Sequence, residues 1–147
     1  MEQFFAYDPH LNGSKGLIFI GDKLLVYRRD SRTENFPFYL DLAGGGKEIN
    51  ETPFETFQRE VKEEFGLAIE RRDISYVRRY PSQVVKGEFA YFPVVKLDSG
   101  AKTALVFGNE GLEYKLIDIE EFLNANDVWP GLQDKARDYL NSLNERR

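Results

Sequence analysis

Glu60, Glu63 and Glu64 fall within five consecutive residues of a chain that has few other ways to do chemistry. It has no cysteine and a single histidine, His10. That excludes disulfides, thiol nucleophiles, thiolate zinc sites and any metal site needing two imidazoles, and a Ser–His–Asp arrangement would have to use His10. Catalysis, if the chain has any, rests mainly on its 25 carboxylates. At 100° per residue the three glutamates span about 100° of a helix circumference. Like charges so placed repel by about 0.2–0.5 kcal/mol per pair, a conflict that a divalent cation removes. Carboxylate oxygens with water select a hard ion, Mg²⁺ or Mn²⁺. For such a stretch alone, a solvated face partly neutralised by Arg59 and Lys62 is the plainer reading. The preceding Gly44-Gly45-Gly46 shifts the balance, because glycine backbone can approach a metal–phosphate unit closely just before a helix N-terminus that favours negative charge.

The element that must carry the glutamates is the best signalled in the chain. Thr52 and Glu55 have capping-box spacing, Pro53 stands at the first helical position, and Gly66 supplies a stop. Phe54, Phe57, Val61 and Phe65 form one apolar stripe. The spacing predicts a helix over Pro53–Phe65. Upstream, Leu17–Ile20 and Leu24–Tyr27 read as a hairpin about Gly21-Asp22-Lys23, and their continuous apolar character predicts strands covered on both faces. Tyr39–Leu42 reads as a short strand ending at the glycines, after a polar loop over Asp30–Pro37. Ile74–Tyr80, Glu88–Leu97 (interrupted or ended near Pro93), Ala104–Phe107 and Tyr114–Ile117 are further expected strands. A short helix over Asp118–Leu123 and an amphipathic terminal helix over Pro130–Leu143 complete the reading. Strands interspersed with helices predict an α/β fold, a mixed β-sheet packed between helices.

The 147 residues, 41% hydrophobic and 14% aromatic, suffice for one domain with a real core and exclude a disordered chain. A formal charge of −5 gives a poor field for wrapping nucleic acid. The start Met1-Glu2-Gln3-Phe4-Phe5 lacks the basic and apolar regions of a secretion signal, and no apolar run approaches the roughly 20 residues needed to span a bilayer. The expectation is a soluble, cytoplasmic protein, without membrane or nucleic-acid partners; a homodimer is compatible with the sequence.

The run Gly45-x5-Glu51-x7-Arg59-Glu60-Val61-x-Glu63-Glu64-x-Gly66-Leu67 resembles the 23-residue signature of the Nudix (MutT-like) hydrolases, with every specified position filled. Seven fixed letters, each at a frequency of about 5–10%, coincide by chance at well under about 10⁻⁶ per start position. A strand ending in Arg28-Arg29 and the approach Leu42-Ala43-Gly44 agree with it, although Ala43 stands where relatives often have Pro and Asn50 where many have Gly. The resemblance implies a Nudix-type α/β/α sandwich over residues 1–147 and hydrolysis of a nucleoside diphosphate linked to another group. It implies that Glu60, Glu63, Glu64 and the Gly44 carbonyl hold Mg²⁺ or Mn²⁺. Glu60 and Glu64 would then lie nearest the reacting phosphate, with Glu51 and Arg59 orienting the helix face and Glu48 assisting. A late-loop carboxylate, here Glu110, is implied as base or ligand; either Glu60 or Glu110 would accept the water proton. Its spacing to Leu116 matches relatives that carry Trp there.

The resemblance sets the strand end Arg28-Arg29 beside the site, where one of the two should meet substrate phosphate, since alternation points them to opposite faces. Arg78, Arg79 and Tyr80 repeat the pattern in weaker context. Phe36, Phe38, Tyr39 and Trp129 are candidates to stack on a base, though aromatics usually belong to cores. The partner expected is a small nucleotide. The rival readings are a non-catalytic Nudix-fold nucleotide sensor, disfavoured by the intact box, and a pyrophosphohydrolase of RNA 5′ ends, disfavoured by the net charge.

Overall fold

The computed structural model describes residues 1–32, 36–108 and 111–145, without the side chain of Leu112. Its strands and helices run in the order β1 (Leu11–Ile20), β2 (Lys23–Arg29), β3 (Leu40–Asp41), β4 (Ala43–Gly46), α1 (Pro53–Phe65), β5 (Ile74–Pro81), β6 (Phe89–Leu97), β7 (Gly111–Ile117), α2 (Ile119–Asn124) and α3 (Leu132–Glu145). The strands form one sheet in the order β3-β2-β1-β6-β5, with β4 also paired to β1 and β7 to β2. β1 and β6 are parallel and the other pairs antiparallel, so the sheet is mixed as expected.

Neighbouring residues along the central strands enter opposite cores. Ile18, Leu25 and Val95 join Phe57, Val61 and Phe65 of α1. Leu17, Leu24 and Val94 join Phe122, Leu132, Ala136 and Tyr139 from α2 and α3. This two-sided burial is why the hairpin reads as an unbroken apolar run instead of an alternating one. The sheet is therefore sandwiched between α1 on one face and α2 with α3 on the other.

α1 occupies the expected span. Thr52 accepts from the Glu55 amide, the Glu55 carboxylate accepts from the Thr52 amide, and Gly66 closes the helix at φ +69°. β1 and β2 pair only next to their turn, Phe19 with Leu24 and Ile20 with Lys23. Beyond that point they fork. β3 runs up beside β2, the buried Leu42 forms the apex, and β4 returns beside β1. The three glycines are thus a strand wedged into the fork, more ordered than a loop, and they deliver the backbone to the foot of α1.

Two strand expectations need correction. β6 continues through Pro93 because Gly16 makes room for it on β1: a Cβ at position 16 would fall 1.9 Å from the Pro93 carbonyl oxygen and 2.8 Å from its ring Cδ. Ala104–Phe107 is not a strand. A 3-10 turn over Ser99–Ala104 leads into a segment whose Val106 and Gly108 amides donate to the Phe65 and Glu64 carbonyls, at 2.9 and 2.7 Å. Those carbonyls lie in the last turn of α1, where helices leave acceptors unpaired, and the helix end captured the segment in place of the sheet.

Candidate functional site

The foot of α1, β4 and the turn between them bring the signature residues together. Arg59 lies at the centre. Its Nε donates to Glu51 Oε2 at 2.7 Å, Nη1 reaches Glu60 Oε1 at 2.8 Å and Glu63 Oε2 at 3.3 Å, and Nη2 donates to the Gly46 carbonyl at 2.8 Å. Glu48 Oε2 stands 3.7 Å from Nε. Four carboxylates thus lie within 4.0 Å of one guanidinium, leaving a formal charge of −3 (four negative, one positive).

Glu51 is bound most tightly. Besides Arg59, its carboxylate accepts from the Glu48 amide at 2.7 Å and the Thr56 hydroxyl at 2.9 Å. The Arg59 hydrogen bond, with those from the Glu48 amide and Thr56, outweighs burial and holds the Glu51 carboxyl below its ordinary range. Arg59 is pushed up in turn, chiefly by Glu51 and then by Glu60, so it remains a fixed cation. Through Glu51, Arg59 thus ties α1 to the turn that precedes it.

Glu64 sits apart from this network. It is 3% exposed and Oε1 accepts from the Gly44 amide at 3.0 Å. Gly44 has φ +128°, and a Cβ there would strike the Ser14 carbonyl oxygen at 2.2 Å, so the contact needs glycine. Gly45 packs its bare Cα on Glu60, where a Cβ would lie 2.6 Å from the carboxyl carbon and Oε2. Ser14 donates to the Pro53 carbonyl at 2.7 Å, fastening β1 to the start of α1. Asn50 adopts φ +65°, a left-handed conformation that Asn tolerates better than most residues, which explains its standing where relatives often carry Gly.

The donor set fits a hard divalent cation: carboxylates of one helix face beside the main-chain carbonyls of β4, with surplus negative charge. The glutamates do not converge on one point. Among the described residues no three acidic or imidazole side chains are close enough to hold a metal ion. Glu60 and Glu63 face Arg59 instead. Glu110 lies outside the described residues.

Arg28 and Arg29 point to different partners. Arg28 binds the Phe38 carbonyl and Asp127, each at 2.7 Å. Arg29 binds the buried Asp41 at 2.7 Å and stacks 4.4 Å from the Trp129 ring centroid. Asp41 also accepts from Lys15 at 2.9 Å and the Tyr27 hydroxyl at 3.1 Å. Arg78 and Arg79 serve Asp138 and Asp8. Trp129 lines a cleft of about 170 Å³ beside Gly45 and Gly46, together with Asn12, Lys15, Gln83 and Lys135. Sequence reasoning did not find Asp41, Lys15 or Lys135. Lys15 interrupts a glycine-rich strand start and Lys135 falls at the edge of the apolar stripe of an amphipathic helix, where lysines are common, so neither carries a local signal.

No helix among the described residues is long and apolar enough to cross a membrane. The family model described as NUDIX domain matches residues 13–138. A search of curated proteins found no match. Among solved structures the chain is similar to a MutT protein from Methanosarcina mazei Go1, with a TM-score of 0.68 and 21% identity over 92% of this chain and 98% of that one. It is also similar to a C. elegans Ap4A hydrolase, with a TM-score of 0.65 and 14% identity over 88% and 98% of the two chains. A bifunctional NMN adenylyltransferase/ADP ribose pyrophosphatase from Francisella tularensis gives a TM-score of 0.71 at 16% identity over 92% of this chain, which spans only 42% of that protein's length. A second structure of that protein holds AMP and a Mn ion. These likenesses establish the shared fold, and the family match over residues 13–138 places the chain in the Nudix family.

Proposed function

We propose that this chain is a divalent-metal-dependent pyrophosphohydrolase that splits the phosphoanhydride of a nucleoside diphosphate linked to a further group. The observation that carries the reading is the acidic row of α1 held against the glycine strand: Glu64 buried on the Gly44 amide, Glu60 on Gly45, and Arg59 bridging Glu51, Glu60 and Glu63.

Glu60, Glu63, Glu64 and the Gly44 carbonyl would hold Mg²⁺ or Mn²⁺. When bound, such an ion neutralises pyrophosphate charge and lowers the pKa of an attacking water. The chain's own residues do the rest. Arg59, anchored by Glu51, offsets the repulsion between the glutamates and is a positioning residue, assisted by Glu48. Glu60 or Glu110 takes the proton of the attacking water. One of Arg28 and Arg29 meets substrate phosphate; of the two, Arg29 lies against Trp129, which lines the cleft. The partner is a small nucleotide and the compartment the cytoplasm.

The test is incubation with Mg²⁺ or Mn²⁺ and a nucleotide panel of triphosphates, sugar-linked, dinucleoside and oxidised forms, followed by product identification. Metal-dependent release of a nucleotide product is the expected result. Inertness across the panel would replace the reading with that of a nucleotide sensor.

A further inference from the structure

We propose that the cleft beside Gly45 and Gly46 binds a phosphate group of the substrate outside the scissile anhydride, with Lys135 and Lys15 as its cationic ligands. The inference rests on the hydrolase reading and adds a substrate class to it. In a chain with 25 acidic and 20 basic residues, the wall of this cleft carries two lysines and no acid. Lys135 is half-buried, and among the described residues no carboxylate lies within 4.0 Å of its ammonium; the Tyr80 ring centroid stands 5.1 Å away. Burial, then the charge of Lys15, lowers its pKa, and an arriving anion would offset both by favouring the charged ammonium.

Lys15 does have a partner in Asp41, but Arg29 shares the same oxygen. Arg29 and Asp41 offset each other, so the two lysines of the wall leave a formal excess of +2. Such an excess inside a cleft suits a phosphate better than a neutral sugar. Gly45 separates this basic cleft from Glu60, so a substrate whose anhydride lies on the acidic side can extend a further phosphate across the glycine strand. That phosphate belongs either to a longer phosphate chain or to a phosphomonoester on the sugar.

Titration of the metal-free protein with inorganic tripolyphosphate in EDTA, followed by calorimetry, tests the cleft without turnover. Saturable binding is expected, weakened about tenfold by Lys135→Gln, the scale of one charge-assisted hydrogen bond, and restored by Lys135→Arg. Absence of binding, or identical binding by Lys135→Gln, overturns the proposal. Turnover then identifies the source. The two pairs are a dinucleoside tetraphosphate against the triphosphate, and 2′-phospho-ADP-ribose against ADP-ribose. The more phosphorylated member of one pair should have the higher kcat/KM, by about tenfold, and Lys135→Gln should erase most of that preference. Equal use of both members in both pairs also overturns the proposal and leaves the hydrolase reading standing. Failure to hydrolyse anything in the broader panel removes that reading instead, while the titration still decides whether the cleft takes phosphate.

Discussion

Glu64 differs from the other acids of its row in being buried with one oxygen on the Gly44 amide, whereas Glu60 and Glu63 are tied to Arg59. Glutamine keeps a carbonyl oxygen able to accept that amide and removes only the charge. Glu64→Gln should therefore lower metal-dependent kcat by at least about 100-fold. Its unfolding free energy should stay within about 1 kcal/mol of the parent, since one like-charge conflict on the helix disappears with the carboxylate. Retention of most activity would contradict the role assigned to it. Glu51 yields a prediction of a different kind. Its folded pKa lies below the ordinary 4.5, so its ionisation contributes stability that is fully present above that value and is lost as pH falls through the depressed folded value. Denaturant midpoints of the parent and Glu51→Gln should converge as the solution is acidified from about pH 6 to about pH 3. A constant gap across that range would show that Glu51 is not held ionised by Arg59.

At the level of elements, β4 shows how two adjacent glycines can be needed for different reasons. At Gly44 an added Cβ meets backbone at 2.2 Å and a positive φ, so Gly44→Ala should cost about 3 kcal/mol or more of folding stability. At Gly45 the obstacle is the far end of the Glu60 side chain, which can swing away. Gly45→Ala should fold nearly as well as the parent yet lose metal-dependent kcat/KM by about 10–100-fold, because Glu60 is displaced. Thermal melts beside kinetics separate the two; equal loss of stability in both variants would show that β4 tolerates no side chain at either position.

The same contrast explains what the sequence disclosed. α1 was legible to the residue because its determinants lie in it or at its two caps: Thr52, Pro53, Glu55 and Gly66. So was the pairing of Glu51 with Arg59, which the signature spacing carries. β6 and the Ala104–Phe107 segment were not, because their fates depend on Gly16 and on the carbonyls of Glu64 and Phe65, residues far away in sequence. The Lys15–Asp41–Arg29 cluster was hidden for the same reason: only the fork between β1 and β2 brings its members together.

For the whole molecule, the arrangement implies that folding and cation binding are linked. The acidic row is anchored to β1, β4 and α1 at once through Ser14, Gly44 and Pro53, and none of these contacts survives unfolding. A cation that binds this assembled row and not the open chain must therefore stabilise the fold by mass action. At a free concentration about 100 times its dissociation constant, Mg²⁺ or Mn²⁺ should add about 2.7 kcal/mol. For a domain of this size that is a rise in Tm of about 5–10 °C. Glu64→Gln should lose most of the rise even though its metal-free Tm is close to that of the parent, and sodium at matched ionic strength should not reproduce it, because screening alone acts on every surface charge. Scanning calorimetry in EDTA and in each metal checks the linkage directly. A Tm unmoved by either ion would mean that Arg59 already satisfies the acidic row and that the glutamates stabilise the turn instead of gathering a cation.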